Sequence, residues 1–402
     1  MNTPKNSIDI FSPSFNQNPY PLYKEMRDKY PLYFYEPADA YVISRYEDVA
    51  FALKSPIFTV KNYEFQSEPL HGRTFIQMDG QEHSQYRNII APSIRGRDLA
   101  QNIIPIIEKT AKNLYSNFLT KTNADFATEF AARFPILVIV GILGLDKKDE
   151  SNFLHWYRTF VDFIADLGRT PSITQTAFQT KEEITNYLLP IIQQKRQNPS
   201  NDLLSIMCSS EIDGVKMSDA EIKAFISLLI TAGGESTDKM LSLMLRNLLQ
   251  NPSQLEQVRN DYSLINKAFA ESLRYSPVTH RLMRITSEEV NVSGGTIPKD
   301  SKVLLMLGAA QHDERQFKNP EIFDIQRDDL DAEKAFTGAA NHLAFGAGRH
   351  FCVGAMLAKA EIEVAFQQLF DFADKISFDS SQFPSEFGLF TRGISNLPKN
   401  IL

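Results

Sequence analysis

From Ser218 to Asn251 the sequence carries one uninterrupted helical apolar pattern. It starts at a capping-box spacing, Ser218 with Glu221, and stops at Asn251 before Pro252. The span is about 32 residues, on the order of 48 Å at 1.5 Å per residue. A helix of that length crosses a whole domain, so the rest of the chain has to be packed around it. Its middle reads ITAGGEST, residues 230–237. Each interior glycine costs roughly 1 kcal/mol relative to alanine, so the pair weakens the helix where packing should be tightest. One reading is a kink that admits a crossing helix. The other starts from Glu235, Ser236 and Thr237, since an acid and hydroxyls beside a loosened backbone suit proton transfer.

Most other segments repeat the helical period, among them YPLYKEMRDKY, SRYEDVAFALKS, IIPIIEKTAKNLYSNFL and PSQLEQVRNDYSLINKAFAESLRYS. Period-two patterning is confined to PLYFYEPADAYVIS and EEVNVSGGTIPKDSKVLLML, the latter with a glycine pair for a tight turn. The expected fold class is mainly α with small β-sheets. With 43% hydrophobic residues, no repeat and no charged linker, 402 residues read as a single domain over 1–402. A small β-rich N-terminal part, about 1–75, is then not separable from the larger helical part.

The longest apolar run, FPILVIVGILGL at 134–145, is shorter than the ~20 residues a bilayer span needs, and it predicts a core helix. The N-terminus lacks the apolar core of a signal peptide, so a cytoplasmic protein with no membrane association is expected. The net charge of −7, without a basic tract interleaved with aromatics, argues against a nucleic-acid partner.

Two cysteines occur. Cys208, in LLSIMCSS, reads as a buried, inert side chain, whereas Cys352 stands in FGAGRHFCVG directly before a helical pattern. A dinucleotide-binding loop would need glycine at 351, where Phe351 stands. A zinc site would need four ligands, and only His350 lies near. Two readings survive: an inert buried cysteine, or a lone thiolate ligand to iron. For the second, the following helix N-terminus, Arg349 and His350 would lower the thiol pKa, and the glycines would let a large flat ligand approach.

The stretch HLAFGAGRHFCVGAMLAK, 342–359, resembles the haem-binding loop of the cytochrome P450 superfamily, and further family elements follow in order along nearly the whole chain. AGGEST resembles the oxygen-activating segment, with Glu235 at the acid position, Ser236 where many members have threonine, and Thr237 next to it. ESLR resembles the Glu-x-x-Arg motif and implies a structural pair, Glu271 with Arg274. Ile322 stands where many members carry the arginine that completes this network, so that either Arg327 replaces it or the network is a pair. HSQYR, whose i, i+4 spacing puts His83 and Arg87 on one helix face, resembles the family's His-x-x-x-Arg and implies that both reach the haem propionates, and Arg284 and His350 match the remaining propionate positions. Within the loop the resemblance assigns Cys352 as the axial iron ligand, Phe345 as its shield, Gly346 as a turn residue and Gly354 as the point where the next helix nears the haem.

The resemblance implies a haem-thiolate monooxygenase of the soluble bacterial type. It would hold haem b and insert one atom of O2 into a small apolar substrate, such as a terpenoid, fatty acid, steroid or macrolide-like compound. Electrons would come from a ferredoxin or flavodoxin with its reductase, steered to the cysteine side by Arg349 and Lys359. The protein would act as a monomer. The expected substrate pocket is lined by Ile226, Ile230, Ala232, Gly233, Val278, Thr279, Leu282, Leu389 and Phe390, under a lid formed by residues 58–75. The alternatives are a peroxide-driven or rearrangement-type haem enzyme and a non-catalytic haem-binding protein, since a fold does not fix a reaction.

Overall fold

The structure is a computed structural model that describes residues 8–121, 123–166, 168–372, 377–378 and 383–400. Its axis is the helix Asp219–Gln250, with the expected capping box: the Ser218 hydroxyl accepts from the Glu221 N–H, and the Glu221 carboxylate accepts from the Ser218 N–H. The helix continues without a break through Gly233 and Gly234. A Cβ on Gly233 would lie 2.9 Å from Ile139 side-chain atoms, and one on Gly234 would collide with Ile136 Cδ1. The glycines therefore make room for the crossing helix Phe134–Leu143, whose near-complete burial explains the FPILVIVGIL run.

Helices Glu150–Ala165, Pro171–Gln197 and Ile265–Tyr275 also pack on the central helix. The segment PSQLEQVRNDYSLINKAFAESLRYS is not one helix. It breaks at Asp261, whose carboxylate accepts from Ser263 N, giving Pro252–Asn260 and then Ile265–Tyr275. Among the described residues no helix is long and apolar enough to cross a membrane.

The main sheet has five short strands: β1 (Leu32–Tyr35), β2 (Ala40–Ile43), β3 (Phe58–Thr59), β4 (Leu282–Thr286) and β5 (Lys302–Leu305), in the order β1-β2-β5-β4-β3. β2 and β5 are parallel, Val42 opposite Leu304, and the other pairs are antiparallel. The predicted turn at Gly294–Gly295 joins a hairpin with Val292 opposite Gly295. Through β4, the sheet carries Arg284 to the edge of the central cavity.

Behind the cysteine loop, Glu271 and Arg274 form a fully buried pair, with Arg274 Nε and Nη2 each donating at 2.8 Å. Arg327 Nε lies 2.9 Å from Glu271 Oε2, an ion-pair contact rather than an aligned hydrogen bond, with its side chain only 6% exposed. Ile322, by contrast, is 57% exposed and contributes only its carbonyl, which accepts from Arg274 and Arg327. Arg327 thus occupies the third place in the network, arriving five residues later in sequence. Gln311 joins two further pieces: its Nε2 donates to Leu273 O and its Oε1 accepts from Leu343 N, just before the cysteine loop.

Candidate active site

Between the central helix and the 345–354 loop lies a cavity of about 410 Å³. Cys352 lies on one wall; Ala232, Glu235, Ser236 and Thr237 of the central helix lie on another. The loop is held by Cys352 N donating to Phe345 O at 2.8 Å and Gly346 N donating to Leu343 O at 2.9 Å. Gly346 and Gly348 adopt φ of +70° and +69°. A Cβ on Gly348 would also stand 2.9 Å from Leu53 O and from Lys54 Cα, so the loop seats against backbone there.

The Cys352 sulfur is enclosed by protein, and its exposed surface belongs to the cavity wall. Burial pushes its thiol up, opposed by the N–H groups of Gly354 and Ala355 and by the Arg87 charge. The helix N-terminus does pull the thiol down, but burial outweighs it and leaves the thiol raised rather than lowered as the sequence suggests; the cation that contributes is Arg87 rather than Arg349 or His350. Arg349 is exposed, and His350 Nε2 is bound to Asp79 Oδ1 at 2.9 Å. Cys208 is buried against Ile192 O, as an inert thiol should be.

His83, Arg87, Arg284 and His350 converge on the cavity. His83 is 1% exposed, has no partner on either ring nitrogen, and packs on the His350 ring at a centroid distance of 4.4 Å. Its pKa is lowered to about 4, chiefly by burial and then by His350. Arg284 Nη1 donates to Met283 O at 2.7 Å, and neither Arg87 nor Arg284 has a carboxylate partner among the described residues. His83, Arg87 and Arg284, with no carboxylate bound to them among the described residues, are what a ligand bearing two carboxylates would satisfy. With Cys352 as a soft donor lining the same cavity, the set fits haem b.

On the central helix, the Ser236 hydroxyl donates to Ala232 O at 3.1 Å and faces the cavity. Glu235 is held in a small network absent from the sequence reading: Lys239 Nζ and the Thr391 hydroxyl both donate to Glu235 Oε1, and Lys239 also donates to Thr391 Oγ1 at 2.7 Å. The i, i+4 spacing of Glu235 and Lys239 was legible; Thr391, 156 residues away, was not. Next to them Asp238 accepts from the Tyr157 hydroxyl at 3.3 Å, and burial raises its pKa to about 7.

Thr237 Oγ1 lies 3.4 Å from Glu361 Oε2. Burial raises the Glu361 carboxyl well above its ordinary range, and its Oε1 has no partner. An acid inside AEIEVAF was the available signal for it.

Of the expected pocket residues, Ala232, Gly233, Val278, Thr279, Leu282 and Phe390 line the cavity. Ile226 and Ile230 do not. They are buried in the core on another side of the central helix, and Leu228, Leu229 and Thr231 face the cavity instead. Leu389 is also displaced, because the turn at Gly388 (φ +111°) presents Phe390 and Thr391 to the cavity.

The family profile described as Cytochrome P450 matches residues 10–372. The chain is 39% identical to pulcherriminic acid synthase of Bacillus subtilis over 388 residues, 96% of each chain. It is 30% identical to cytochrome P450 107B1 of Saccharopolyspora erythraea, again over 96% of each. Among solved structures it resembles CYP109E1 of Bacillus megaterium in complex with corticosterone, with a TM-score of 0.83, 25% identity and coverage of 96% and 99%. It also resembles P450BioI in complex with a fatty-acyl-loaded acyl carrier protein, with a TM-score of 0.85, 26% identity and coverage of 97% and 100%.

Proposed function

Because the chain belongs to the cytochrome P450 family, a family of haem b monooxygenases, we propose that it inserts one oxygen atom of O2 into a small, mostly apolar organic molecule held between Cys352 and Ser236. The observation that carries this reading is a single cavity with a lone cysteine on one wall and an acid–alcohol pair on another. Relatives named for pulcherriminic acid synthesis or solved with corticosterone indicate that such cavities serve varied small molecules.

Bound haem supplies the iron at which dioxygen is reduced and cleaved, with a thiolate ligand favouring cleavage. The residues assigned to hold it are Cys352 for the iron, His83, Arg87, Arg284 and His350 for the carboxylates, and Phe345, Gly346 and Gly354 for the face of the ring. The chain's own work is binding, orientation and proton supply. Ser236 offers a proton at Oγ on the cavity wall. Glu235 recharges it, and to do so must loosen its bonds to Lys239 and Thr391. Asp238, bonded to the Tyr157 hydroxyl, lies close enough to feel the charges of Lys239 and Glu235 and so biases the network without being bonded to it. Thr237 and Glu361 form a second hydroxyl–acid pair on the wall. Aliphatic walls exclude water from the oxidised carbon.

Electrons reach the site from a separate redox protein, a ferredoxin or flavodoxin, docking where Arg349 is exposed. Lys359 contributes less than Arg349, since its Nζ already donates to Glu363 at 2.8 Å. The enzyme is then a monomeric, cytoplasmic, single-domain protein. The engagement of Glu235 by Lys239 favours one competing reading, peroxide-driven oxidation, which needs no proton delivery to O2. The test is turnover of a bound substrate with reductant, redox protein and O2 against turnover with peroxide alone. Activity only with peroxide rejects the proposal.

A further inference from the structure

The walls of the cavity differ in chemistry. On the lid, Tyr63, Ser67 and His71 recur every four residues across the short helices Tyr63–Gln66 and Glu68–His71, and all three line the cavity. The wall built from Phe134–Leu143 and Glu150–Ala165 offers only aliphatic carbon: Ile139, Ile142, Leu143, Val161 and Ile164. A pocket for a pure hydrocarbon would have no use for a polar stripe on its lid.

His71 is the telling member. It is 0% exposed, its Nδ1 shares a hydrogen bond with Ser227 Oγ at 2.8 Å, and its Nε2 has no partner. Burial lowers its pKa to about 3, so the ring is neutral. A neutral imidazole with Nδ1 engaged keeps one function at Nε2, donor or acceptor according to which way the Ser227 hydroxyl turns. Leaving that function unpaired costs about 1–3 kcal/mol. The Tyr63 hydroxyl has no protein partner among the described residues either, and the Ser67 hydroxyl reaches only Tyr63 O, at 3.4 Å. Ser227 and Ser236 are nine residues apart on the central helix, about 13 Å along its axis. A molecule about two rings long spans that distance.

We propose that this cavity selects a compact, largely apolar molecule carrying an amide or ketone group, which hydrogen-bonds to Tyr63 and, once a small shift of the 63–71 segment uncovers it, to His71 Nε2, while its hydrocarbon part packs on the aliphatic wall. The proposal rests on the cavity being the substrate site of the monooxygenase, and it narrows the substrate class.

The test uses the haem-loaded enzyme and two ligands of matched size, bibenzyl and benzanilide, which differ in the central amide. Dissociation constants are measured by calorimetry. His71→Phe is expected to weaken benzanilide about tenfold, the cost of one unpaired buried hydrogen-bonding group, and to leave bibenzyl unchanged within about twofold. His71→Gln, which keeps a donor and an acceptor, recovers part of the loss. Tyr63→Phe weakens benzanilide in the same direction, and it alone carries the test if His71→Phe does not load haem. Equal changes for both ligands, or none for either, overturn the proposal. So does failure of the wild type to bind benzanilide. If 4-phenylimidazole still binds the haem of that preparation, the monooxygenase reading survives and only the substrate class falls.

Discussion

Replacing Arg327 by methionine tests whether this arginine has taken over a place in the buried ion network. Four contacts vanish: the ion pair with Glu271, the bond to Asp329 at 2.7 Å, and the bonds to the carbonyls of Ile322 and Lys318 at 3.1 and 3.3 Å. Each net hydrogen bond is worth about 0.5–1.5 kcal/mol, and the Asp329 partner is partly exposed, which discounts it. Glu271 keeps Arg274 and the Asp324 N–H, so it is not orphaned. The sum is about 2–4 kcal/mol. Glu271→Ala strands the fully buried Arg274 guanidinium and should cost about 3–5 kcal/mol. Ile322→Ala, at an exposed position, should stay within about 0.5 kcal/mol. Urea unfolding followed by the fluorescence of Trp156, the one tryptophan and nearly buried, reads all three. With an m value of about 3 kcal/mol per M, Arg327→Met should lower the midpoint by about 1 M. A midpoint within about 0.2 M of wild type would refute the network role and leave Arg327 as a surface cation.

Gly348→Ala places a side chain in left-handed backbone and against Leu53 O and Lys54 Cα. It should cost about 2–4 kcal/mol and reduce haem loading, seen as a lower ratio of haem to protein absorbance. Arg169 ties the 63–71 segment to the helix Glu150–Ala165: its guanidinium donates to Phe163 O at 2.7 Å and to Phe65 O at 2.9 Å. Arg169→Ala should speed ligand release about tenfold, the value of one to two such bonds, measured by stopped-flow displacement. His71 and His280 are held near pKa 3 and His342 near 4, each mainly by burial. The unfolded chain takes up those protons near pH 6.5, so stability falls as pH drops below that value, by up to about 1.4 kcal/mol per pH unit for each histidine. A urea midpoint that stays flat between pH 7 and 5 would contradict this.

The central helix was legible down to its capping box because caps and apolar periodicity are local. Its orientation was not. A helix buried on nearly all sides carries no polar face to mark which residues look into a cavity, and so Ile226 and Ile230 were assigned where Leu228 and Thr231 stand. The break at Asp261 was missed because apolar spacing resumes in phase after one turn. The cysteine loop was readable from its glycines and the helix behind it, but its electrostatics depend on residues brought from afar, Arg87 for the sulfur and Asp79 for His350, just as Glu235 on the central helix depends on Thr391. Position 322 left the third member of the network open for a related reason. A buried guanidinium can reach the same carboxylate from a different point on a loop, and sequence spacing records the attachment rather than the tip.

The most direct test of the account is the absorption spectrum of the reduced carbon monoxide complex in the wild type and in Cys352→His. With Cys352 as the thiolate ligand to iron, the wild type shows the strongly red-shifted Soret band of a thiolate-bound haem, and Cys352→His, still haem-loaded, shows that of an imidazole-bound one. A red-shifted band that survives the substitution would mean that the Cys352 sulfur in the cavity wall is not the ligand.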